Sequence, residues 1–150
     1  MLRPGGAAVA AVVLVVALAS CDNTESSRIG ACQIQPGATC SGNYMHGAAL
    51  ADSGLFDANF DHADLTRVDL RASDLSGASL VGARLTRANL AGAVLSYTNL
   101  QNSNLRGANL SGVDFTGADL TGARVSASEL ALTTLCRTML PDGTIAAPSC

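Results

Sequence analysis

The sequence predicts an all-β solenoid of four-sided coils, a quadrilateral parallel β-helix, over residues 46–140. Three observations predict it. A large apolar residue returns at every fifth position, from Leu50, Leu55 and Phe60 through Leu65, Leu85, Leu105, Phe115 and Val125 to Leu140. Two positions before most of them stands a small residue, among them Ala58, Ala63, Val68, Ser73, Thr98, Ser103, Ala118 and Ser128. Two positions after, glycine recurs, as at Gly77, Gly82, Gly92, Gly107, Gly117 and Gly122.

Neither common template fits a period of five. On an α-helix five residues advance about 500°, so the leucines would form no stripe. On a flat strand an odd spacing sends successive leucines to opposite faces. The pattern closes if each leucine and the small residue two before it point inward from a short extended side and the chain then bends. A bend of about a right angle in every pentapeptide gives four sides per coil, and coils stack at about 4.8 Å. Only one large side chain per side fits so narrow an interior, hence the small residue before each leucine. Glycine suits a bend that needs positive φ. Asn or Asp just before the leucine (Asn59, Asp64, Asp69, Asp74, Asp114, Asp119) faces out and can bond nearby backbone.

The strings Ala-Asp-Leu and Ala-Asn-Leu, and the run 117–123 (Gly-Ala-Asp-Leu-Thr-Gly-Ala), resemble the pentapeptide-repeat family. That resemblance covers residues 46–140 and implies a right-handed hand for the coil. The flanks 32–42 and 135–144 also resemble ends found in exported members.

Residues 1–20 read as a secretory signal: Arg3 supplies the positive start, and Ala7 to Ala19 is an uncharged apolar run. It is short for a span, which takes about 20 residues. Leu18-Ala19-Ser20-Cys21 resembles a bacterial lipobox, which implies that the Cys21 thiol receives a diacylglyceryl group. Two acyl chains, at about 0.8 kcal/mol per buried CH₂, hold a protein firmly on a membrane. Residues 21–31 are the lipidated start and a polar tether. Residues 32–45 are expected to cap the first coil. The turn Leu140-Pro141-Asp142-Gly143 is expected to stop the repeat, and residues 141–150 to cap the last coil. Without caps, the open backbone edges of the stack invite end-to-end association.

Five cysteines are an odd number, which Cys21 lipidation would explain. The other four cluster at the ends, and of three connectivities the local one, Cys32 with Cys40 and Cys136 with Cys150, avoids tying the ends together across several coils. An oxidising compartment permits it; free thiols are the alternative. No Cys-x-x-Cys or His cluster accompanies them, so no metal site is expected.

Chemistry is otherwise sparse. His46 and His62 are the two histidines, and a catalytic Asp61–His62 pair is the minor reading beside an exposed bend histidine. No nucleophile elbow or phosphate-cradling loop appears, so neither enzyme activity nor a cofactor is expected. A net charge of −3 with no lysine argues against nucleic acid as a default partner.

One asymmetry follows from the geometry. With four sides, residues twenty apart lie above one another. The side of Leu65, Leu85, Leu105 and Val125 then carries Arg67, Arg84, Arg87, Arg106 and Arg124 against Asp64 alone, with Asp64 and Arg84 in one ladder and able to pair. The other sides carry most of the acids, Glu129 included. This side is a candidate surface for anionic lipid headgroups, cell-wall polymer or an acidic protein; chance scatter of surface arginine is the bland alternative. The resulting expectation is a non-enzymatic, exported protein, lipid-anchored on the extracytoplasmic side, serving as a rigid binding or structural module at the cell envelope. The rival is a DNA-mimicking topoisomerase regulator such as cytoplasmic family members provide. An export signal and an arginine stripe disfavour it.

Overall fold

A computed structural model describes residues 32–147. The signal, Cys21 and tether expectations, and Cys150, lie outside the described residues.

The chain bends every five residues, and parallel bridges join residues twenty apart in unbroken series, such as Gly54–Asp74–Val94–Asp114 and Asp64–Arg84–Asn104–Arg124. A coil is therefore four pentapeptides. Each side is extended for so few residues that it makes one bridge per rung, and no longer strand forms. Backbone bonds run up and down the stack: Leu85 N–H donates to Asn104 O (2.8 Å) and Arg84 N–H donates to Ala63 O (2.9 Å).

The corners from residue 37 to residue 122 share one plan. The leucine-site carbonyl accepts from the N–H three residues on, as Leu55 O does from Ala58 at 3.1 Å. The residue two after the leucine site takes a positive φ: Gly77 is at 68°, Arg67 at 58° and Ala72 at 54°. The preceding Asn or Asp braces the corner from outside, as where Asp74 Oδ1 accepts from Ser76 N–H (2.9 Å) and Asn99 Oδ1 from Gln101 N–H (3.1 Å). These are Asx turns, the local bond that Asn and Asp favour.

The leucines pack along the axis in four columns. Leu55, Leu65, Leu75, Leu80, Leu85, Leu100 and Leu105 are wholly buried, with Phe60 and Phe115 filling two sites. Burying each such side chain stabilises the fold by about 1.5–3 kcal/mol. Inward hydroxyls are satisfied by the coil before: Ser73 Oγ donates to Leu50 O (2.7 Å), Thr98 Oγ1 to Leu75 O (2.9 Å) and Thr138 Oγ1 to Phe115 O (2.7 Å). Ser103 Oγ is buried with no partner, so its hydroxyl lowers stability relative to alanine.

Three expectations need correction. Residues 36–45 are not a separate cap, because Gly37 and Gly42 sit at left-handed corners and Thr39 and Tyr44 bridge Asn59 and Asp64. The coil thus begins before residue 46, with Cys40 and Met45 in leucine sites. Cys40 is fully buried and joined to Cys32, Cα–Cα 5.1 Å. Second, the repeat does not run unbroken to residue 140. A single helical turn, α1 (Ala127–Leu130), interrupts it, and the bridges pass from Asn104–Arg124 to Asp114–Thr134 without a 109–129 rung. Ser126 caps α1 and Glu129 bonds back to Ser126 N–H (2.7 Å), a reciprocal capping box. Third, Ser128 is exposed on this turn rather than inward, while Leu130 stays buried.

At the far end the chain folds back. Met139 bridges Ile145 in antiparallel sense, and Leu140 N–H donates to Thr144 O (2.7 Å). The tail therefore covers part of the last open edge. Cys136 is buried and disulfide-bonded.

Candidate functional site: the arginine side of the coil

Arg67, Arg84, Arg87, Arg106 and Arg124 are all exposed, and the coil register places them on one side and the corner that follows it. Arg84 and Arg124 stand on the middle column of that side, which runs Tyr44–Asp64–Arg84–Asn104–Arg124. Arg67 and Arg87 occupy the following corner on adjacent coils, about 4.8 Å apart along the axis. Both are left-handed, φ 58° and 57°, a conformation that costs an L-residue about 1–2 kcal/mol. Gly47 and Gly107 fill the same corner one coil below and above without that cost. Arg87 lies along the stack, its Cγ 3.4 Å from where a Cβ on Gly107 would stand.

The expected Asp64–Arg84 pair does not form, although the two are neighbouring rungs. Asp64 turns instead to its own corner, where Oδ1 accepts from Thr66 N–H (3.0 Å). Among the described residues the ion pair within 4 Å is Arg71–Asp69, at 2.7 Å, on a neighbouring side. Hence, among the described residues, the five arginines of the side have no carboxylate partner at bonding distance.

Glu129 requires a further correction. Placed by register on another side, it reaches the arginine corner because α1 redirects it. Its Oε1 accepts from Gly107 N–H at 2.7 Å. Burial pushes its pKa up, but bonds from Ser126 and Gly107 and the charge of Arg106 bring it below the usual value, so it is ionised. Arg106, Gly107, Arg124, Val125, Ser126 and Glu129 line an open hollow at this end. The signal was present in the sequence as Ser126-x-x-Glu129, the spacing of a capping box. At the opposite end Tyr44 and His46 stack, ring centroids 5.9 Å apart and planes at 8°.

The Asp61–His62 pair has a structural use. Asp61 Oδ1 accepts from Ser79 Oγ (2.5 Å) and Val81 N–H (2.9 Å) in the next coil. His62 lies over Gly82, with Nδ1 2.6 Å from where a Cβ would stand. Among the described residues no group of three His, Cys, Asp or Glu is placed to hold a metal ion.

Several bracing carboxylates titrate low. The Ser76 hydroxyl and N–H hold Asp74 below the ordinary value of 3.8. The Thr116 hydroxyl does the same for Asp114, helped by Thr116 N–H and Ser96 against burial. At Asp119 burial is the largest influence and raises the pKa, but bonds from Thr121 and Gln101 together outweigh it. A depressed folded pKa adds stability that is present above the unfolded value and lost as pH falls through the folded one. The melting temperature is therefore expected to be level near neutrality and to fall below about pH 4. A thermal melt series of Asp74→Asn/Asp114→Asn/Asp119→Asn should show a shallower acid limb, since Asn keeps the corner bond as Asn99 and Asn104 do. An acid limb identical to the parent's would remove these groups as its cause.

The geometry defines a solenoid protein: a square rod whose sides differ in charge and whose interior is filled by the leucine-site side chains. Residues 53–90 and 88–126 match the family model described as pentapeptide repeats, in eight copies. Residues 53–126 are thus similar to pentapeptide repeats, a family whose proteins fold as a right-handed β-helix. No protein with a curated description matches the chain. Among solved structures it is similar to the pentapeptide repeat protein alr5209 of Nostoc PCC 7120, at 25% identity over 64% of this chain and 83% of that one, TM-score 0.48. It is also similar to AT2G44920 from the Arabidopsis thaliana thylakoid lumen, at 24% identity over 72% of each chain, TM-score 0.43. A third is QnrB1, a plasmid-mediated fluoroquinolone resistance protein, at 21% identity over 75% of this chain and 73% of that one, TM-score 0.45.

Proposed function

We propose that this is a non-enzymatic pentapeptide-repeat module, exported and lipid-anchored through Cys21, whose arginine side is its contact surface for anionic groups at the cell envelope. The observation that carries the contact surface is five exposed arginines on one side of the coil and its corner, none held at bonding distance by a carboxylate among the described residues. A surface fixed by backbone bonds loses little freedom on binding, so unpaired cations on it present a preorganised potential. Arg67 and Arg87 support the same reading, because each holds a charge at a corner where glycine would relax the backbone. Ala72 shows that left-handed strain alone marks no function, since it carries the strain with no charge. The lipobox-like Leu18-Ala19-Ser20-Cys21 supports the anchor. The arginine side weighs against a DNA-mimicking surface, which needs dense negative charge.

Vesicles containing anionic lipid serve as the probe for the surface. Arg67→Ser/Arg87→Ser/Arg106→Ser is expected to lower binding of a Cys21→Ser chain to them by about a hundredfold at low salt, at roughly 1 kcal/mol per basic residue. Binding that survives the triple substitution would remove the surface. For the anchor, cells expressing the chain are labelled with palmitate and fractionated: label in the membrane fraction, lost in Cys21→Ser, is the expected result.

A further inference from the structure

We infer that the anionic group met by the arginine side is the opposite side of a second copy of this chain, an inference that rests on reading the arginine side as a contact surface. Half a coil separates the Leu65 and Leu55 columns, so they line opposite sides of the rod. The middle column of the Leu55 side reads Gly54–Asp74–Val94–Asp114–Thr134. Against it the arginine side reads Asp64–Arg84–Asn104–Arg124. Asp74 and Asp114 are two coils apart, and so are Arg84 and Arg124. Two parallel rods placed side by side, one raised half a coil (about 2.4 Å), set Arg84 against Asp74 and Arg124 against Asp114. The same shift sets Asp64 against Gly54 and Asn104 against Val94, so no like charges meet along the column.

Both acids are ionised, for the hydrogen bonds that brace their corners hold their pKa values low. The Leu55 side and its corners also carry exposed apolar groups: Phe56 (44% exposed), Val94 (36%), Tyr97 (72%) and Leu132 (64%). In this arrangement the corner of Phe56 and Tyr97 meets the second copy's corner of His62 and Asn102, where the rings add apolar contact. The arginine corner meets that of Arg71, whose charge Asp69 already pairs. Because the two contact surfaces lie on opposite sides of one rod, each new copy leaves the same pair of surfaces free. Association is heterologous and gives an open row rather than a closed dimer. One side about five coils long is roughly 24 Å, small for a permanent interface, so the contact is weak and salt-sensitive.

Sedimentation equilibrium of the full chain in nonionic detergent tests this. At low salt the average mass is expected to pass roughly twice the monomer's and keep rising with concentration, as an open row requires. High salt should return it to the monomer. Arg84→Glu/Arg124→Glu alone and Asp74→Arg/Asp114→Arg alone should each stay monomeric, and their mixture should associate again. Arginine is tolerated at this register, as Arg84 and Arg124 themselves show. If either reversal melts early, Arg84→Ser/Arg124→Ser replaces it, serine already occupying the position at Ser79. A parent chain that stays monomeric at low salt, a reversal that associates like the parent, or a mixture that stays monomeric overturns the contact between copies. The vesicle experiment separates the two readings: arginine-dependent vesicle binding without self-association leaves the contact surface standing and removes the second copy, and absence of both removes both.

Discussion

Gly117→Ala is expected to destabilise the protein by about 2–3 kcal/mol, from a left-handed corner and a displaced aromatic ring together. Gly117 is at φ 67°, and a Cβ there would stand 2.7 Å from Cδ1 and Cε1 of Tyr97 on the coil below. Tyr97 is itself at a left-handed corner, and its ring lies over the glycine of the next coil. Gly92→Ala has the same backbone cost at φ 69° but meets nothing within 4 Å, so about 1–2 kcal/mol is expected there. The difference belongs to stacking, and Tyr97→Gly in the Gly117→Ala background should recover it. Thermal melts of the four chains decide the matter. Equal losses for Gly117→Ala and Gly92→Ala would mean that corner side chains do not lie over one another.

Leu85→Ala is the second large effect, expected at about 2–5 kcal/mol. Leu85 is wholly buried in the middle of its column, between Leu65 and Leu105, and the coils on either side are tied by backbone bonds that cannot close the gap. Since each coil touches only its neighbours, a cavity here weakens the interface that joins the two halves of the rod. Met45→Ala, in a half-buried leucine site on an end coil, should cost far less. Denaturant melts of both check this, and equal losses would show that the interior is not a continuous stack.

Much of this was legible in the sequence for a simple reason: a coil of fixed length turns sequence spacing into spatial position. Leu65 and Leu85, or Asp64 and Arg84, are neighbours because twenty residues separate them. The left-handed corners followed from Gly77 and Gly82, and the bracing role of Asp74 from its place before Leu75. The sequence hides the places where the pattern changes without changing its count. Cys40 and Met45 hold leucine sites without being leucine, so the leucine series alone makes residues 32–45 read as a cap, although Gly37 and Gly42 carry the corner signal. Residues 126–130 keep Leu130 in register while Ser126 and Glu129 wind a helical turn, so the period alone could not reveal it. That turn brings Glu129 to Gly107 and the arginine corner, a contact that register assigned elsewhere. The Asp64–Arg84 pairing failed for a different reason: proximity of rungs does not decide which partner a carboxylate takes, and Asp64 had a donor nearer at hand in Thr66 N–H.

The central claim is that the chain closes a coil every twenty residues. Scalar couplings measured across hydrogen bonds by NMR test it most directly, because each reports which amide bonds which carbonyl. The amide of Leu85 should couple to the carbonyl of Asn104, that of Leu65 to Arg84, and that of Arg84 to Ala63. Couplings from these amides to carbonyls four residues back would contradict the fold and everything placed on its sides.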